Sequence, residues 1–571
     1  MSRRRMMFLA FAVSLIMATL FTAFAQAAPD RPSRVVIIVL DQARPDTITR
    51  YGMENVQELQ RKGTSFSDAY VGHMAAETVI SHNVITSGRL PKNMGWTNEV
   101  YRDVGGVLGT PGAYHVTSSM TCNEFKALIE AGGYPKLQDY LDDRFGETSA
   151  FASISQKRTS ACTSGHTSSG ADASAIDPED IIFQIRGSNV SAACGSGWRR
   201  PEYVGLPRPY FGFTDNCQDR WWTFQGAGAY GTGGMSPANI YPLDGDRFVP
   251  GFDPAHIGGD NWSADATIRV IENEPDWRGL MVSLGGIDKL GHMWGPEDQG
   301  ENGAPGSIEE MRRLPFIAKN ADEQVGRIVD ALETKGLLDD TLIVITADHA
   351  AQTGRPFHGV LAPGVTNPSC GVGSTGIRSD CNWYFGNDAD EVYRDPSPAV
   401  AQLRDALGGN LGFSYQDGHI AVWLTNNSLA KKREAAQAVL EMPDVLASYH
   451  TNAAQNDYRL YGTNRMSGRE RSWFVRHGEE LVDTMAAPNG ADVVGLLATD
   501  VTYGVIGDHG GHSRLIQEIP MVFHGPGIGS KDSNRDMRLV DVMPTILETM
   551  GIAYDEDDLD GEAVKLSKPK R

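Results

Sequence analysis

The chain has 571 residues, 41% of them hydrophobic, enough to bury a large core in one enlarged domain or in two. Acidic side chains outnumber basic ones, 72 to 51, for a net charge of −21. Such a surface argues against nucleic-acid duplexes and anionic lipid as partners.

Residues 1–28 read as a secretory signal: Arg3–Arg5, an uncharged apolar run from Met6 to Ala25, then Ala-x-Ala sites in AFAQAAPD. A periplasmic or secreted chain is expected, with no membrane attachment once the signal is cleaved, because no later segment is long and apolar enough to span a bilayer. Six cysteines (122, 162, 194, 217, 370, 381) suit disulfides in that compartment. Cys370–Cys381 would close a short loop and Cys194–Cys217 a second, but spacing alone leaves the connectivity open.

SRVVIIVLDQ (33–42) is a β-branched run ending in an acid, the pattern of a strand buried on both faces. PDTITRYGMENVQELQRKG (45–63) opens on Pro and closes on Gly, which reads as helix. AAETVISHNVITSGRLP (75–91) predicts a helix over 78–88, with Thr78 at its start. RGLMVSLGGID (278–288) repeats the apolar strand with an acidic end. Ala321, Val325, Ile328, Val329 and Leu332 then recur at helical spacing up to Gly336, and TLIVITADHA (341–350) is a third such strand. IPMVFHGPGI and a helical LVDVMPTILETMGI close the pattern. Strands alternating with helices predict an α/β fold with a central, mostly parallel sheet flanked by helices. Residues 29–571 are expected to form one catalytic domain. Stretches 167–275 and 351–500, rich in Gly, Asn, Ser, Asp and aromatics, are expected as two insertions forming a cap over one end of the sheet.

Open α/β sheets carry their chemistry at the carboxyl ends of strands. Asp41, Asp288 and Asp348 end three apolar strands, so their carboxylates should meet at one rim. Each alone would be an ordinary cap or turn residue. Asp288 and His292 are four apart, on one face if the chain turns helically. Asp348 and His349 are adjacent and share a site only where the strand has ended. GDHGGHS adds His509 and His512 amid glycines. This donor mixture suits zinc or a similar divalent ion. Such an ion would depress the pKa of the Thr78 hydroxyl, and a helix N-terminus would favour the resulting anion.

Taken together, the strand-ending Asp, Thr78 with His82 at +4 and Gly88 at +10, DxxxH, ADH and the late GxHG resemble the alkaline phosphatase superfamily. The similarity is to its threonine-nucleophile branches, the monomeric bacterial alkaline phosphatases and the nucleotide pyrophosphatase/phosphodiesterases. It implies two zinc ions, one on Asp41, Thr78, Asp348 and His349, the other on Asp288, His292 and His509, with His512 as the competing last ligand. His82 falls at a position that is not a metal ligand in the family, and a packed, hydrogen-bonded histidine is expected there. Asn98 in GWTNEVY resembles an asparagine that donates to a phosphoryl oxygen. SISQKRTSACTSGH resembles the segment carrying Lys-x-Arg in the monomeric phosphatases; Arg158 falls on the arginine, whereas Gln156 holds the lysine position and Lys157 sits one place off. The resemblance implies a monomeric enzyme acting on small phosphate monoesters through a phosphothreonine. Phosphodiesterase or nucleotide pyrophosphatase activity is the alternative on the same core.

Sulfatase chemistry would need a Cys or Ser in a C/S-x-P-x-R context, and TVISH has neither. A phosphate mutase would use serine and would lack the leader. A non-catalytic ligand-binding protein on this scaffold is the rival from another class, opposed by the complete ligand set and the nucleophile. The acidic DEDDLDG (555–561) is expected to be a solvated loop rather than a calcium site.

Overall fold

The structure is a computed structural model and describes residues 31–117, 120–146, 149–155, 157–165, 181–184, 259–288, 291, 313–352, 355–356, 398–503 and 507–569. Its centre is an eight-stranded sheet. In chain order the strands are β1 (Arg34–Leu40), β2 (Thr64–Phe66), β3 (Ala150–Ser155), β4 (Ile181–Gln184), β5 (Trp277–Leu284), β6 (Thr341–Thr346), β7 (Met521–His524) and β8 (Lys531–Ser533). They lie in the order β8-β2-β7-β6-β1-β5-β3-β4. β1 is parallel to both β5 and β6, β3 is parallel to β4 and β5, and β7 alone runs against its neighbours. Val35 to Leu40 are wholly buried, as expected of a strand covered on both faces.

Two groups of helices flank the sheet. Gly259–Asn273, Arg313–Thr334 and Glu54–Lys62 pack on one another; Thr78–Ser87, Cys122–Gly132 and Arg158–Gly165 form the second group. One apolar cluster runs through the sheet and both groups, from Val56 and Val325 to Val79 and Phe125. A disulfide joins Cys122 to Cys162, tying two helices of the second group together. Cys194, Cys217, Cys370 and Cys381 lie outside the described residues, as do residues 1–30. Among the described residues no helix is long and apolar enough to cross a membrane.

Residues 398–503, all but the last three within the stretch expected as the second insertion, hold a sheet of their own. Strands β9 (Leu411–Gln416), β10 (His419–Leu424), β11 (Val445–Thr451), β12 (Tyr458–Thr463) and β13 (Val493–Leu497) lie in the order β9-β10-β13-β11-β12, antiparallel throughout. Both faces are apolar: Ile420, Val422 and Leu424 enter one cluster beside the helix Leu429–Leu440, whereas Ala421 and Trp423 enter another with Met74, Val100 and Val116. HIAVWL therefore shows none of the alternation that marks a half-exposed strand. Gly259–Asn273, inside the stretch expected as the first insertion, packs on β5 and β3 as part of the main body.

Candidate active site

Because β6, β1, β5 and β3 are consecutive neighbours, the residues just past their carboxyl ends form a row: Asp348, Asp41, Asp288 and Lys157. All four are buried. Lys157 Nζ lies 2.6 Å from Asp41 Oδ2, 2.7 Å from Asp288 Oδ2 and 3.1 Å from Thr78 Oγ1. It precedes the helix Arg158–Gly165, whose last carbonyls accept from Lys136 Nζ on Thr163 and from Gln138 Nε2 on Ser164 and Gly165. Those contacts and the disulfide fix the helix that delivers Lys157.

Thr78 opens the expected helix, Thr78–Ser87, which is buried along its whole length and ends at Gly88 in the left-handed conformation. Its Oγ1 lies 3.2 Å from His349 Nε2. His349 Nδ1 points at the Ala350 carbonyl, 3.2 Å away, and so carries the proton. The Nε2 lone pair therefore faces Thr78, with Asp41 Oδ1 at 3.7 Å and Asp348 Oδ2 at 3.5 Å. The His509 ring stacks on His349 with centroids 3.8 Å apart, and its Nε2 lies 3.8 Å from Asp288 Oδ1.

Two donor groups result, Asp41–Asp348–His349 and Asp288–His349–His509, each with its ligand atoms within 4.8 Å of one another. Asp41 Oδ1 and Asp348 Oδ2 accept no hydrogen bond although buried. A buried carboxylate oxygen left that way is costly unless a cation faces it. Three carboxylates here face one ammonium. Burial and then Asp348 push Asp41 well above the ordinary carboxylate pKa. Burial works against the Lys157 charge, yet Asp288, Asp41 and Asp348 hold its pKa above the usual lysine value. The donors present therefore fit divalent ions.

His292 lies outside the described residues, as does the side chain of Arg158. Gly291, just before His292, is placed against Gln42: a Cβ there would sit 1.8 Å from Gln42 Oε1, so a larger residue would have to displace that amide. His512 is not brought to Asp288. It is buried toward Glu470 and His419, and burial lowers its pKa to about 4. His82 is packed as expected, its Nδ1 donating to the Thr78 carbonyl at 2.8 Å and lying 3.4 Å from Asp348 Oδ2.

Two features were missed in the sequence. Gln42 turns the chain after Asp41 with φ 69°, its backbone N–H donating to Asp348 Oδ1 and its Nε2 to Asp288 Oδ1 and the Gly507 carbonyl. It thus joins three site loops, and its position after a strand-ending Asp was the one available signal. The second is a buried group of Glu77, Asp417 and His419. Asn98 Nδ2 lies 3.0 Å from His419 Nε2, and burial followed by Asp417 and Glu99 pushes Glu77 well above the carboxylate range. Asp417 and His419 sit in a stretch without a motif and carried no signal.

Residues 35–363, more than half the chain, match the profile described as type I phosphodiesterase / nucleotide pyrophosphatase. The chain belongs to that family. It is accordingly a phosphoric ester hydrolase within the alkaline phosphatase superfamily, and zinc dependence is typical of its relatives. Among solved structures, wild-type alkaline phosphatase PafA is similar over 94% of this chain and 98% of its own, with TM-score 0.56 and 16% identity. Murine ectonucleotide pyrophosphatase / phosphodiesterase 5, solved with AMP, is similar over 93% of this chain and 97% of its own, with TM-score 0.50 and 10% identity. At these identities the likeness shows a shared fold. No curated protein matches the chain.

Proposed function

We propose that the protein is a monomeric, periplasmic or secreted phosphomonoesterase with two zinc ions, working through a phosphothreonine at Thr78. Asp41, Asp348, His349 and Thr78 would hold one ion, and Asp288, His292 and His509 the other. Bound there, the ions would lower the Thr78 hydroxyl pKa and stabilise the leaving oxygen. The Thr78 oxygen attacks phosphorus as the ester P–O bond breaks and the alcohol leaves. Water then cleaves the Oγ–P bond, releasing phosphate and restoring Thr78. His349 Nε2, 3.2 Å from Thr78 Oγ1, carries the lone pair that would ligate the ion beside that oxygen. Asn98 and Arg158 are assigned to the non-bridging oxygens.

The observation that carries the monoester reading is Lys157. Its ammonium reaches Thr78 Oγ1 at 3.1 Å from one place beyond the expected lysine position, which supports Lys157 in the role of the lysine missing at 156. A dianionic monoester offers such a cation one more charge than a diester does. The family match favours diesters as the second reading. Zinc-loaded protein assayed on p-nitrophenyl phosphate and bis-p-nitrophenyl phosphate decides between them. A strong monoester preference, abolished by EDTA and restored by zinc, is the expected result; a diester preference would leave the metal core standing and overturn the role of Lys157.

A further inference from the structure

The Glu77–Asp417–His419 group lies beside the nucleophile but belongs to neither donor group around His349. Its hydrogen-bond polarity can be read atom by atom, starting at Asn98. The backbone N–H of Val100 donates to Asn98 Oδ1 at 3.2 Å, which fixes the oxygen end of that amide. Asn98 Nδ2 therefore faces His419 Nε2, 3.0 Å away, and the imidazole must accept there. A neutral imidazole accepting at Nε2 carries its proton on Nδ1. His419 Nδ1 lies 2.6 Å from Asp417 Oδ1, which also accepts the His419 backbone N–H at 2.9 Å.

We infer that His419 and Asp417 are positioning residues, which hold the Asn98 amide with its remaining N–H turned to the phosphoryl group. The inference rests on Asn98 contacting a phosphoryl oxygen. An asparagine amide is nearly symmetric in shape, and a half-turn about its last bond exchanges a donor for an acceptor. Turned the wrong way, Oδ1 would face the anionic phosphoryl oxygens and repel them. The chain Asp417–His419–Asn98 removes that choice, because the flipped amide would set Oδ1 against the Nε2 lone pair.

The relay is well anchored. Asp417 and His419 bracket the turn between β9 and β10, and the intervening Gly418 N–H donates to the His509 carbonyl at 2.9 Å. On the other side the Glu99 N–H donates to Glu77 Oε2 at 3.0 Å, tying the segment of Asn98 to the residue before Thr78. The same three side chains could be imagined to hold a cation. That would put the Nδ1 lone pair on the ion and the proton on Nε2, facing the Asn98 amide donor, so the geometry favours the relay.

The test is a double-mutant cycle on the zinc-loaded full chain, reading kcat/KM for p-nitrophenyl phosphate with zinc content measured alongside. Asn98→Ala should lose about 10²-fold. His419→Ala should lose about tenfold, a loss absent when Asn98 is already alanine, and His419→Gln should recover most of it by offering an acceptor near the Nε2 position. A His419→Ala protein as active as wild type, or one whose loss multiplies with that of Asn98→Ala, overturns the inference. So does loss of a zinc equivalent in His419→Ala, which would make the group a cation site. A near-wild-type Asn98→Ala variant instead sinks the underlying assignment of Asn98. Asp417→Ala carries the same cycle should His419→Ala fail to fold.

Discussion

At the rim of the central sheet, three carboxylates, Lys157 and two histidines crowd around Thr78, each delivered by the end of a buried strand or the loop that follows one. In the antiparallel unit at 398–503, two apolar faces serve packing, and the unit meets the site through the turn at 417–419. The first region is a place where burial and charge conflict, and the conflict is what suits it to metal chemistry. The second is a consistent core that lends one hydrogen-bonded turn to that chemistry. Variants at the rim should therefore change rate far more than stability, whereas the seam between the regions should be where stability depends on pH.

Thr78→Ala should break the comparison most severely. Loss of the nucleophile removes the covalent step while leaving Asp41, Asp288, Asp348, His349 and His509 in place. Turnover should fall by about 10⁴-fold or more with zinc content unchanged. Wild-type rates in that variant would end the phosphothreonine mechanism.

Lys157→Met comes next. It keeps most of the apolar stem but removes the ammonium between Asp41, Asp288 and Thr78. Monoester kcat/KM should fall by about 10²-fold, and diester kcat/KM by less. An equal loss on both substrates would mean that Lys157 tunes the carboxylates and not the substrate charge.

The acid response should localise to the seam. His73 and His512 are buried there, and burial lowers their pKa values from 6.5 to about 3 and about 4. With folded values below the unfolded one, the unfolded chain binds more protons as pH falls below 6.5. Their contribution to stability is thus whole above that pH and is lost as pH drops toward about 4 and then about 3. By pH 5 the loss should be on the order of 2 kcal/mol per histidine. Urea midpoints at pH 7 and pH 5 measure it, and His512→Gln should flatten the dependence. An unchanged slope in that variant would place the acid-sensitive group elsewhere.

The rim was legible in the sequence because parallel strands buried on both faces are continuous apolar runs, and a carboxylate closing such a run stands out. Asp41, Asp288 and Asp348 were found this way, and Thr78 through its place at the head of an apolar helix. Lys157 was placed one residue from its expected position because spacing in a loop does not fix which side chain turns inward. His419 was illegible for another reason. HIAVWL is apolar on both faces and reads equally as strand or buried helix, and its His lies far in sequence from every motif. What recruits it is tertiary: Gly418 approaches Gly510 so closely that a Cβ on Gly418 would lie 1.9 Å from the Gly510 carbonyl oxygen.

Gln42 offers the finest test, since backbone and side chain can be separated there. Its φ of 69° is a conformation that glycine adopts freely and glutamine does not. Gln42→Gly keeps the turn, relieves that strain and removes the amide that links Asp288 to the Gly507 carbonyl. Stability should therefore hold, while kcat/KM falls about tenfold because the Asp288 carboxylate loses the donor that orients it. Gln42→Ala removes the same amide but keeps the strain, so it should match the glycine variant in rate and melt lower. If the two melt alike and both retain full activity, the rim holds Asp288 without help from its neighbour. The site would then be set by the strand ends alone.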